Sequence, residues 1–126
     1  MKKIVLALAA LGEAVTGLIL LVYPLIVIRL LFGDEIVGTG VVMSRIAGIA
    51  LIGLGLACWP GSTAGWALCG MLTYSSLAML YLGFLALSGK WVGELLWPAV
   101  AVHAILTVLL LWAWFKERKT REKSQA

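Results

Sequence analysis

Glu13 and His103 are the two residues whose chemistry fits least with their surroundings. Each lies inside an apolar run, Ile4 to Phe32 for Glu13 and about Leu95 to Phe115 for His103. A charge at mid-membrane costs about 2.5–3.5 kcal/mol on insertion scales, and intramembrane ionisable residues are functional by default. Glu13 avoids most of that cost if it carries its proton. It is then either a proton-exchanging group or a hydrogen bonder to a neighbouring helix. An imidazole changes charge close to physiological pH, although a lone histidine on an apolar helix is often a packing residue. If Glu13 and His103 touch, they share a proton and titrate as a unit.

Depth follows from the helical rise of about 1.5 Å per residue. Glu13 comes nine positions after Ile4, and His103 eight positions after Leu95. Both fall near the bilayer middle if the two runs cross in opposite directions. Tyr74 and Ser75, midway along a third run, and Thr16, one turn beyond Glu13, have similar depth. The expected middle polar layer is therefore Glu13, His103, Thr16, Tyr74 and Ser75. A second layer, nearer one surface, comprises Arg45, Glu94, Asp34 and Glu35. These four read as ion pairs, with a contact to an anion or lipid headgroup as the alternative. Arg29 snorkels toward the same surface.

The motifs of soluble enzymes are absent: there is no GxSxG, no HExxH, no P-loop and no pair of carboxylates on one helix face. One histidine cannot supply the axial pair of a cytochrome-like bundle. Cys58 and Cys69 form no CxxC and read as small core thiols, so no metal is expected. Tyr74 and Tyr81, seven residues apart, read as core or lipid-facing aromatics rather than a cofactor box. No cofactor can be named, and the balance leans away from an enzyme.

The elements that must hold these groups are membrane spans. Of the 126 residues, 63% are hydrophobic and 13% charged, against roughly 45–50% and 25% in soluble domains. A soluble domain of this size buries only about 60–70% of the surface its unfolded chain exposes, so it could not hide so apolar a chain. Soluble enzymes, nucleic-acid binders and disordered chains are excluded as classes. A bilayer core needs roughly 20 apolar residues. Spans are expected at about 4–23, 41–59, 64–87 and 95–115, with Pro24 kinking or ending the first and Leu25 to Phe32 continuing as a turn or two of helix. Pro98 falls in the first turn of the fourth, where a missing N–H has no partner to lose. The start MKKIVLALAALGEA has the make-up of a secretory signal, but the apolar run continues to Phe32 and reads as an uncleaved span.

The connections Gly33 to Gly40, Pro60 to Thr63 and Ser88 to Glu94 are short. They imply an antiparallel four-helix bundle, all-α and a single domain over residues 1–126. Lys2 and Lys3 contribute +2, the basic tail 116–126 contributes +3, and everything between sums to −1. The positive-inside rule then places both termini in the cytoplasm of a bacterial-type inner membrane. The six tryptophans lie near predicted span ends, as an interfacial belt requires. Helices in lipid pack through small residues. Gly17 with Ala9, Ala10, Glu13 and Thr16, then Gly48 and Gly55 with Arg45, then Gly70 with Tyr74, and His103 with Ala99 and Thr107, mark one packing face per span. These four faces are expected to meet in a common interior.

ALGEAVTG around Glu13 resembles the first span of small multidrug resistance transporters, over about one helix; the rest of their first-span pattern is missing. LLFG closing the first span and RIAGIALIGLGLACWPG forming the second are similar to DoxX-like and related uncharacterised bacterial four-helix membrane proteins, over most of the chain. The first resemblance implies transport and the second implies little about activity. The leading reading is a small membrane protein whose polar centre handles a proton or a small solute. The alternatives are a non-catalytic accessory or assembly subunit of a larger membrane complex and, third, a membrane redox or lipid-modifying protein. The partners implied are the lipid bilayer, further copies of the chain or a larger complex, and not nucleic acid.

Overall fold

The computed structural model describes residues 1–61, 64–91 and 93–125. The expected turn Pro60 to Thr63 falls partly outside them. Among these residues five helices are formed: α1 (Lys2–Val22), α2 (Pro24–Phe32), α3 (Thr39–Ala57), α4 (Ala64–Ser88) and α5 (Leu96–Gln125). No strand occurs among the described residues. Four of the helices are long and apolar enough to cross a membrane.

The breaks have local causes. Pro24 has no N–H to continue α1, and it opens α2 instead, at a position where the fixed φ of proline suits a first turn. What the sequence suggested as a turn or two is a helix of nine residues. Gly33 ends it in the left-handed conformation at φ 73°, its N–H bonded to the Arg29 carbonyl at 2.8 Å. That backbone conformation costs a residue with a Cβ about 1–2 kcal/mol. The α5 helix runs ten residues past Phe115, through the basic tail. Lys, Glu and Arg are good helix formers, and Glu117 bonds Arg121 one turn on at 3.0 Å.

Packing is uneven. The most extensive contacts join α1 to α3 and α4 to α5, while α1 also touches α4 and α5. The apolar window of α1 is 39% buried, that of α3 only 11%. So α1 is central and α3 lies on its outer side, and the expectation of four faces sharing one interior is corrected. Gly48 and Gly55 of α3 meet α1. A Cβ built on Gly48 would sit 2.6 Å from the Gly17 carbonyl oxygen, and one on Gly17 would sit 2.5 Å from that of Gly48. One on Gly55 would sit 2.5 Å from the Ala10 carbonyl oxygen. Backbone meets backbone here, as small residues in membrane helices permit. Gly70 is different: it is exposed, and its nearest neighbour, Cys58 Sγ, would be in ordinary contact with an added Cβ at 3.8 Å.

A second packed region lies below the polar centre. Val5, Leu6, Ala9 and Ala10 of α1 pack against Ala67, Leu68 and Met71 of α4 and Leu110 and Ala113 of α5, with Cys58 at the edge. Two contacts mark the ends of the assembly. Lys2 Nζ donates to Glu117 Oε2 at 2.7 Å, joining the start of α1 to the tail of α5. At the other end the Leu95 N–H bonds the Leu30 carbonyl at 2.8 Å, and Gly93 lies so close to the Leu31 backbone that no Cβ would fit. The outward faces stay apolar: Ile46 and Ile49 on α3, Leu80 and Phe84 on α4, and Ile105 and Val108 on α5 are all exposed. Helices apolar on every side need an apolar surrounding.

Candidate functional site

Three helices bring polar side chains together above that core. Glu13 on α1 is 5% exposed. It follows Ala9 and Ala10 at spacings of four and three, so it shares their buried face. The hydroxyl of Tyr74, on α4, is the polar group turned toward its carboxyl. On its other side the Tyr74 ring meets the His103 imidazole of α5 edge to face, with centroids 5.8 Å apart and planes at 74°. Tyr74 is thus the neighbour that Glu13 and His103 share. Of the polar groups along this line, His103 Nδ1 is buried without a hydrogen-bond partner among the described residues.

Ser75, fully buried beside Tyr74 in sequence, likewise has an unpartnered hydroxyl. An unsatisfied buried donor or acceptor costs about 1–3 kcal/mol. Thr107 is buried but satisfied, donating to the His103 carbonyl at 2.7 Å. Thr16 does not join this group. It is exposed, although its angular position lies between those of the buried Ala9 and Val5. Tyr81 is exposed too.

The outer residues are also placed differently from expectation. Arg45, Glu94, Asp34 and Glu35 are all exposed. Among the described residues the ion pairs are Lys2–Glu117 and Arg121–Glu117, and none involves these four. Asp34 instead accepts from the Glu35 backbone N–H at 2.8 Å, a local loop bond. The physical reason is position: Arg45 stands on α3 beside the junction of α1 and α2, near Tyr23 and Pro24, and the three carboxylates lie at helix ends and in a loop, where solvent serves them. Cys58 is buried as a small core thiol, whereas Cys69 is exposed.

Sequence reasoning missed one cluster. At the end of the assembly where Lys2 meets Glu117, a cleft of about 630 Å³ opens between α4 and α5. Trp114, Arg118, Glu117 and Arg121 line it from α5, and Trp66 and Cys69 from α4. The signal was present in the spacing of Trp114 with Arg118 and of Glu117 with Arg121, each four residues apart and so neighbours on one helix face. Lys2 and Arg121 hold the Glu117 carboxyl below the usual carboxylate range, the Lys2 hydrogen bond being the largest cause.

The polar centre has the parts to exchange a proton: a carboxyl, a phenol and an imidazole from three helices. No group of three or more metal-ligating side chains occurs among the described residues. In comparisons with protein families, curated proteins and solved structures, the chain matches none.

Proposed function

We propose that the protein is a bacterial inner-membrane four-helix antiparallel bundle, with both termini cytoplasmic, whose Glu13 centre handles a proton or a small solute. The arrangement of the ends supports the antiparallel part: Lys2 reaches Glu117 at one end, and Leu30 bonds Leu95 at the other. The charge at the two termini supports the orientation.

The observation that carries the functional part is Glu13 itself. A carboxyl buried among apolar helices faces a phenol, and one ring further lies an imidazole nitrogen with no partner. Such a group is expensive in a membrane interior and is retained for what it exchanges. Tyr74 can donate its O–H to the carboxyl, and the free Nδ1 of His103 leaves the line able to take a proton or a ligand atom.

A second reading is favoured by the packing around that centre. Leu6, Met71 and Leu110 close beneath it with no exposure, and apolar faces on α3, α4 and α5 remain uncovered. In this reading Glu13 bonds helices together, and the protein is an accessory subunit docked on a larger membrane complex or on further copies of itself. Proton uptake into proteoliposomes separates the two. Wild type should show substrate-dependent uptake that Glu13→Gln abolishes while melting at a similar temperature. Uptake that survives in the Gln variant sinks the proton-handling reading. An absence of flux in wild type with every solute tried leaves the accessory reading standing.

A further inference from the structure

The cleft between α4 and the tail of α5 is not used by the Glu13 centre, and its chemistry is distinct. Its walls combine two exposed arginines, Arg118 and Arg121, with two tryptophans, Trp66 and Trp114. The Arg118 guanidinium stacks on the Trp114 ring at 4.0 Å from its centroid. That contact fixes the guanidinium plane and leaves its N–H edge free, and Arg118 forms no ion pair among the described residues. Glu117 takes bonds from Lys2 at 2.7 Å and Arg121 at 3.0 Å. One carboxylate thus serves two cations, and a third stands beside it, so the cluster carries an uncompensated charge of two.

The cleft also sits at a definite height. It begins where the apolar part of α5 ends, at Phe115, and where the charged tail starts. Trp66, 85% exposed, is at the level where indole rings collect at membrane surfaces. A planar, stacked guanidinium with free donors matches phosphate oxygens better than a point charge does. Basic pockets between spanning helices are suited to anionic headgroups.

We infer that this cleft binds a phosphate group at the membrane surface, carried by an anionic phospholipid or by a soluble phosphate. Arg118 supplies a fixed fork, Arg121 a second cation that Glu117 holds in place, and the tryptophans flank the glycerol or sugar portion. The site takes phosphatidylglycerol in preference to phosphatidylcholine, whose choline cation offsets its phosphate.

Native mass spectrometry of the detergent-solubilised full chain, titrated with each lipid, tests this. Wild type should retain phosphatidylglycerol more tightly than phosphatidylcholine. Arg118→Ala/Arg121→Ala should bind phosphatidylglycerol roughly 30-fold more weakly, the loss expected for two basic residues at a membrane surface. Arg118→Lys/Arg121→Lys, which preserves charge and fold, should fall between them. Displacement of the lipid by inorganic phosphate alone identifies a soluble phosphate as the ligand, and retention in its presence identifies the headgroup. Equal retention of the two lipids by wild type, with no effect of inorganic phosphate, overturns the inference. So does a loss as large in Lys3→Ala/Lys119→Ala as in the arginine double variant, because diffuse charge would then account for it.

Discussion

Replacing Gly48 by Ala adds a single methyl group where the backbones of α1 and α3 approach closely. The new Cβ would stand 2.6 Å from the Gly17 carbonyl oxygen and 2.8 Å from the Leu21 nitrogen. Both neighbours are backbone, so no side chain can swing aside. Relief to an ordinary contact of about 3.4 Å requires α1 and α3 to separate by several tenths of an ångström along their whole line of contact. Overpacking of this kind costs about 1–3 kcal/mol, and the better helix propensity of alanine returns up to about 1 kcal/mol. A net loss of about 1–2 kcal/mol is expected. Gly53 is the internal control. It is on the same helix, and an added Cβ meets nothing within 4 Å, so Gly53→Ala should be neutral or stabilise by up to about 1 kcal/mol. Reversible unfolding in mixed micelles, followed by far-ultraviolet circular dichroism, measures both. A Gly48→Ala protein as stable as Gly53→Ala would refute the close-approach argument and move the α1–α3 contact elsewhere.

Other expectations follow from the same geometry. Tyr74→Phe removes the hydroxyl facing Glu13 but keeps the ring against His103, so it should retain the fold while lowering any proton-linked activity, read in the same uptake assay as Glu13→Gln. The Lys2 and Arg121 cations hold the Glu117 carboxyl below its ordinary pKa in the folded state, so its stabilising contribution is present above the ordinary carboxylate range and disappears as pH falls through its folded value. The melting difference between wild type and Glu117→Gln should therefore be clear at neutral pH, amount to under about 1 kcal/mol for a pair this close to the surface, and vanish in acid. Reporter fusions at the C-terminus and within the Gly33–Gly40 loop should report opposite sides of the membrane; a shared side would end the four-span arrangement.

Four apolar helices were readable from hydropathy because membrane burial acts on every residue of a span. The α1 face was readable as well, since Ala9, Ala10, Glu13 and Gly17 recur at helical spacing and all are buried. Periodicity says which residues share a face but not which neighbour that face meets. This is why Gly48 and Gly55 were recognisable as packing residues, while their partner, α1, was not. Arg45 illustrates the same limit. Its spacing to Gly48 put it near the packing face, and it does line a groove at the junction of α1 and α2, yet no carboxylate among the described residues pairs with it. Residue counts alone put Glu13, Tyr74 and His103 at one expected depth. That Tyr74 rather than direct contact links Glu13 to His103 required the positions of three helices at once. The helical tail was hidden because hydropathy stops at Phe115, whereas helix formation depends on propensity and on the spacing of Glu117 and Arg121.

The pairing of α1 with α3 has a consequence for synthesis. A nascent chain of 57 residues already contains both halves of that glycine-lined contact, so the pair can form before α4 has left the ribosome. The polar residue on α1 is then committed to the bilayer with neither of its neighbours yet made: Tyr74 arrives next and His103 last. The polar line is therefore complete only once α5 is made, and its tail, by reaching Lys2, ties a later part of the chain to an earlier one.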